Sequence, residues 1–98
     1  MSGRGAGIAA ERIEATLLSL AEARPDGTIS PTDVARRLGG VHPEGWGPLM
    51  QPVRRVAVRL MKEGRIVILR KGRPVDPDDF RGVYRLAPAD GEGKSSPV

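Results

Sequence analysis

Glycine and proline cut this sequence into short pieces, and the positions of the cuts limit what can fold between them. The 98 residues hold 13 Gly and 9 Pro. Pro25, Gly39-Gly40, Pro52, Gly64 and Gly72 each fall between apolar runs. Proline lacks an amide donor and restrains the residue before it, while glycine readily takes the left-handed turns that end helices. The longest uncut piece, between Gly7 and Pro25, has room for about five helical turns at most. Short helices and strands around one small core are what such a chain can build.

Each piece carries its own pattern. Over Ile8–Arg24, Ala10, Ile13, Leu17, Leu20 and Ala21 form one helical stripe, with Leu18 outside it. An Asp26-Gly27 tight turn and a short extended Thr28-Ile29 follow. Ser30, Pro31 and Asp33 predict a capped helix start, Val34, Ala35 and Leu38 its apolar face, and Gly39-Gly40 its end. Val41–Gly47 reads as a loop and Pro48–Gln51 as a single turn. Pro52 opens a third helix, 52–63, with Val53, Val56, Ala57 and Leu60 inward and Gly64 as its stop. Arg65–Arg70 is a β-branched strand, Lys71-Gly72-Arg73 a turn, and Val83–Leu86 the return strand. Asp76-Pro77-Asp78-Asp79 between them resembles a capped turn. Residues 1–7 and 88–98, rich in Gly, Ser and Pro, read as a disordered lead-in and tail around a folded unit at 8–87.

Helix, extended segment, helix, helix, strand, basic turn, strand is the order of an α+β winged helix-turn-helix: a three-helix bundle with a C-terminal β-hairpin wing. The run Trp46-Gly47-Pro48-Leu49-Met50 leading to Val53-Arg54-Arg55, then Leu60 and Gly64-Arg65-Ile66, resembles a family of small bacterial proteins classed as a domain of unknown function. Ser30–Arg36 and Lys71–Pro77 extend the likeness over roughly residues 8–87. In that family proline tends to follow the glycine of Arg81-Gly82-Val83-Tyr84-Arg85, so the return strand here is expected to run straighter. The resemblance implies a winged-helix fold and supplies no activity.

Charge then points to a partner. Residues 52–85 hold ten Lys/Arg against four acids, so the whole net charge of +4 is carried by one third of the chain. Such a basic stretch is the footprint of phosphate contact, and equally of a solvated basic face. On the third helix, Gln51, Arg54, Arg55, Arg59 and Lys62 suit a major groove, because guanidinium forks bond phosphates or guanine edges. In the wing, Arg70, Lys71 and Arg73 surround Gly72 and can approach a backbone, although Asp76, Asp78 and Asp79 lie just beyond and would repel it. Thr32 with Arg36 and Arg37 makes a third, weaker phosphate candidate at the second helix. The bland reading of each is ordinary capping or a solvated surface.

Trp46 reads as a core anchor before it reads as a base-stacking platform. The three aspartates read as capping before they read as Mg²⁺ ligands. With no cysteine and only His42, thiolate and imidazole clusters are excluded. No carboxylate pair suggests an active site, and neither metal nor other cofactor is implied. Nothing near the start reads as a signal peptide and no apolar run suits a membrane, so a cytoplasmic setting is expected. The expectation is a non-enzymatic protein that binds double-stranded DNA, a transcriptional regulator, with the third helix in the major groove and the wing on the backbone. A homodimer through the first helix and Leu18 would add specificity. A protein-interaction module and an RNA-binding accessory protein are the alternatives.

Overall fold

The structure, a computed structural model, describes residues 9–24 and 27–89. The expected lead-in 1–7, the Asp26 side of the expected turn and the tail from residue 90 onward lie outside the described residues. Helix α1 spans Ala10–Glu22 and buries Ile13, Leu17 and Ala21, one residue per turn on a single stripe. Leu18, expected to be off the core, is half-buried and packed against it.

Helix α2, Pro31–Gly39, begins as its sequence predicts. The Ser30 hydroxyl accepts from the Asp33 amide and the Asp33 carboxylate accepts from the Ser30 amide, each at 3.1 Å. Pro31 fills the first position, where no amide donor is needed. The helix ends against the next segment at a glycine pair. A Cβ on Gly39 or on Gly45 would strike the other's carbonyl oxygen, so only two glycines allow this approach.

The segment 41–47, expected as a loop, contains a short helix α3, Pro43–Trp46, and continues through a 3₁₀ turn at Gly47–Leu49 into helix α4, Met50–Lys62. Pro52 does not open α4 but sits third in it. The first turn of a helix has no internal acceptors for its amides, so proline is tolerated there and no break is required. Val53, Val56, Ala57 and Leu60 face inward, as their spacing predicts. Gly64 ends the helix at φ 78°, with Gly64 N–H donating to Met61 and Arg65 N–H to Leu60, a left-handed cap of the Schellman type.

The sheet differs from a simple two-stranded wing. Strand β1, Ile66–Arg70, is central, with β2, Arg73–Pro74, on one edge and β3, Arg85–Pro88, on the other, all antiparallel. Lys71 and Gly72, at φ 54° and 81°, form the two-residue turn from β1 to β2. The chain then loops through 75–84 before returning along the far edge of β1. Val83 and Tyr84, expected in the return strand, precede it, and Pro88, expected to begin the tail, pairs with Ile66. Ile29 exchanges both backbone hydrogen bonds with Leu86 at 2.8 Å, so the short extended segment before α2 joins the sheet.

One core unites these elements: Ile13 and Leu17 from α1, Val34 from α2, the α4 stripe, Ile66 and Ile68 from β1, Leu86 from β3, and Phe80 and Tyr84 from the loop. Full burial of each such large side chain contributes about 2 kcal/mol. Trp46 is half-buried against the same cluster, the anchoring role expected for it. The result is an α+β arrangement of three main helices and a small three-stranded antiparallel sheet, compatible with a winged helix. Among the described residues no helix is long and apolar enough to cross a membrane.

Candidate nucleic-acid interface

The outward stripe of α4 was expected to carry Gln51, Arg55, Arg59 and Lys62, with Arg54 on its flank. Gln51 and Arg55 are exposed and make no side-chain hydrogen bond or ion pair among the described residues. Arg54 turns inward. Its guanidinium lies 3.8 Å from the centroid of the Phe80 ring and 5.8 Å from that of Tyr84, and donates to the Phe80 carbonyl at 2.7 Å. The two rings meet edge to face at 5.2 Å. Burial pushes the Tyr84 phenol above its ordinary pKa, with the Arg54 charge pulling the other way. Arg54 thus clamps the 75–84 loop onto α4, a cation–π contact reinforced by a charged hydrogen bond.

Further along α4 the cations meet carboxylates. Arg59 pairs with Glu14 of α1 at 2.7 Å and with Glu63 at 3.2 Å, and Arg65 pairs with Glu14 at 2.7 Å. Hydrogen bonds from Arg59, then from Arg65, hold the Glu14 carboxyl below its ordinary pKa. The same contacts, that with Glu14 first, raise Arg59. Lys62 reaches Asp78 of the loop at 2.6 Å. The C-terminal half of α4 therefore spends its charge on α1 and on the loop beside it.

In the hairpin, Lys71 and Arg73 are exposed around Gly72 and have no ion-pair partner among the described residues. Arg70 is half-buried, and its Nε donates to the Val83 carbonyl at 3.2 Å. The aspartates beyond the tip are used locally. Asp76 accepts from the Asp78 amide at 2.9 Å, a side-chain-capped turn as expected, and Asp78 takes Lys62. Among the described residues no cluster of three metal-ligating side chains forms.

On α2, Thr32 is half-buried, its hydroxyl 3.9 Å from the Met50 sulfur. That contact sets the first turn of α2 against the first turn of α4, beside Gln51. Arg36, one turn on from Thr32 and on the same side of the helix, is exposed, as is Arg37, and neither is paired among the described residues. The twelve expected residues thus divide. Thr32, Arg54, Arg59, Lys62 and Arg70 are engaged within the fold, whereas Arg36 and Arg37 on α2, Gln51 and Arg55 on α4, and Lys71 and Arg73 either side of Gly72 remain at the surface. Sequence reasoning missed Glu14, Phe80 and Arg65 because their partners lie up to 51 residues away. It also passed over Arg81, which stands exposed beside the wing.

Residues 10–88 match the family described as "Protein of unknown function (DUF3253)", and the protein belongs to that family. Comparison with curated proteins found no match.

Proposed function

Taking membership of this family of unknown function as the premise, we propose that the protein is a winged helix that binds double-stranded DNA as a transcriptional regulator. The observation that carries this reading is the division of cations just described. Once the carboxylate-bound and ring-bound cations are set aside, α2, the N-terminal half of α4 and the hairpin tip each keep exposed cations with no partner among the described residues, as do Arg12, Arg24 and Arg81 outside them. In a winged helix those three elements are the ones that meet a duplex. Gln51 and Arg55 face base edges, Arg36 and Arg37 hold flanking phosphates, and Lys71 and Arg73 rest on the backbone. A single module of this kind binds with modest affinity, and a second copy docked through α1 would add specificity.

Binding of a random-sequence duplex, followed by fluorescence anisotropy across a series of salt concentrations, tests the reading. With about three to five phosphates neutralised, log affinity should fall against log salt with a slope of about −2.7 to −4.5. Joint Arg36, Arg37 and Arg55→Ala should abolish most of this binding with no change in melting, since all three are exposed and have no partner among the described residues. No binding at low salt, or binding indifferent to that substitution, would sink the proposal.

A further inference from the structure

A wide, open groove of about 410 Å³ lies between the β1–β2 hairpin and the segment ending at Arg81, and Arg70, Arg73 and Arg81 all line it. Arg70 and Arg73 are direct cross-strand partners. Like charges facing each other across an antiparallel pair are unfavourable, so the fold tolerates a cost here. None of the three is ion-paired among the described residues, whereas Arg59, Lys62 and Arg65 all are. Asp76 and Asp79 also border the groove. The Asp76 carboxylate is turned to the Asp78 amide, and neither aspartate pairs with a guanidinium among the described residues. Arg70 is held ready: its Nε donates to the Val83 carbonyl and its guanidinium lies over Gly82, where a Cβ would come within 3.1 Å of it. Buried Phe80 supplies an apolar wall.

We propose that this groove is an anion site for a phosphate group, bound by the guanidinium forks of Arg73 and Arg81 with Arg70 as the oriented third donor. Three guanidinium groups bordering one groove offer more donors than the two oxygens of a carboxylate can use, and planar guanidinium suits phosphate oxygens bidentately. The phosphate can belong to a nucleic-acid strand or to a small phosphate ester. The site stands on its own geometry, because it can fill with no duplex present.

The first arm of the test titrates the protein with inorganic phosphate and follows arginine Nε–Hε and Gly82 amide resonances by NMR. Saturable shifts are expected at Arg70, Arg73, Arg81 and Gly82, with only a gradual ionic-strength drift at Arg36 and Arg55. Arg73→Ala and Arg81→Ala should each weaken binding about tenfold. Arg81→Lys, which keeps the charge and loses the fork, should also weaken it and provides the readout if an alanine variant fails to fold. The second arm adds a duplex. If the phosphate is a strand's, Arg81→Ala lowers duplex affinity and inorganic phosphate competes. If it is a small ester's, the shifts saturate while duplex binding, or its absence, is the same in Arg81→Ala as in wild type. Shifts that never saturate, or that persist undiminished in a folded Arg73/Arg81→Ala double variant, overturn the site.

Discussion

The C-terminal half of α4, with Arg59 and Lys62, and the β1–β2 hairpin, with Arg70, Lys71 and Arg73, are both basic in sequence but differ in what the fold does with the charge. In α4, Arg59 and Lys62 are drawn to Glu14 and Asp78. In the hairpin, Arg73 and nearby Arg81 have no carboxylate partner among the described residues, and Arg70 meets only the Val83 carbonyl, around an open groove that two aspartates also border. A count of Lys and Arg therefore overstates the charge available to a partner, and the unpaired remainder is the better guide to where one docks. The paired set ties α1, α4 and the loop together; the unpaired set is open to ligand.

The comparison can be broken most severely at the glycine pair that seats α2 against α3. Gly45→Ala places a methyl on the Gly39 carbonyl and should cost about 3 kcal/mol or more, read as a fall in the urea midpoint. Unchanged stability would mean that the α2 arginines are not held where they are described. Next comes Arg54→Ala, which removes a guanidinium from between Phe80 and its carbonyl. A loss of about 2 kcal/mol is expected, with duplex affinity of the folded protein unchanged. A binding defect without a stability defect would move Arg54 to the other set.

Glu14→Gln sharpens the contrast from the opposite side. It weakens the hold on Arg59 and Arg65, so a small fall in stability should accompany tighter duplex binding and a salt slope steeper by about 1 to 2. The smallest effect is on pH dependence. Because the folded-state pKa of Glu14 is lowered, its contribution is fully present above the ordinary value of 4.5 and disappears as pH falls through the lower folded value. Urea midpoints of wild type and Glu14→Gln should therefore differ at neutral pH and converge in acid. A gap that persists there would show that Glu14 acts by packing and not by charge.

Much of this was legible locally. The Ser30/Asp33 box, the α4 stripe, the Gly64 stop and the Lys71-Gly72 turn each depend on residues within about one helical turn of one another, so propensity and spacing suffice. The errors were also local in origin. Pro52 was read as a helix boundary when the first turn can absorb it, and Pro43 was read as loop although proline at a first helical position favours helix. The short β2 edge carries two residues, too few for any periodicity to register.

By itself the sequence determined that the chain forms short capped helices followed by a glycine-turned strand, that its apolar stripes meet in one core, and that positive charge gathers in the third quarter of the chain. Only the tertiary structure decided which of those charges are spent. Arg59 meets Glu14 across 45 residues and Arg54 meets Phe80 across 26, and spacing at that range carries no periodic signal. A charge pair depends on a few ångströms of separation between surfaces that come together only when the core closes. The Gly and Pro positions that opened the reading set the lengths of the pieces, and the packing of those pieces selected the arginines left facing outward.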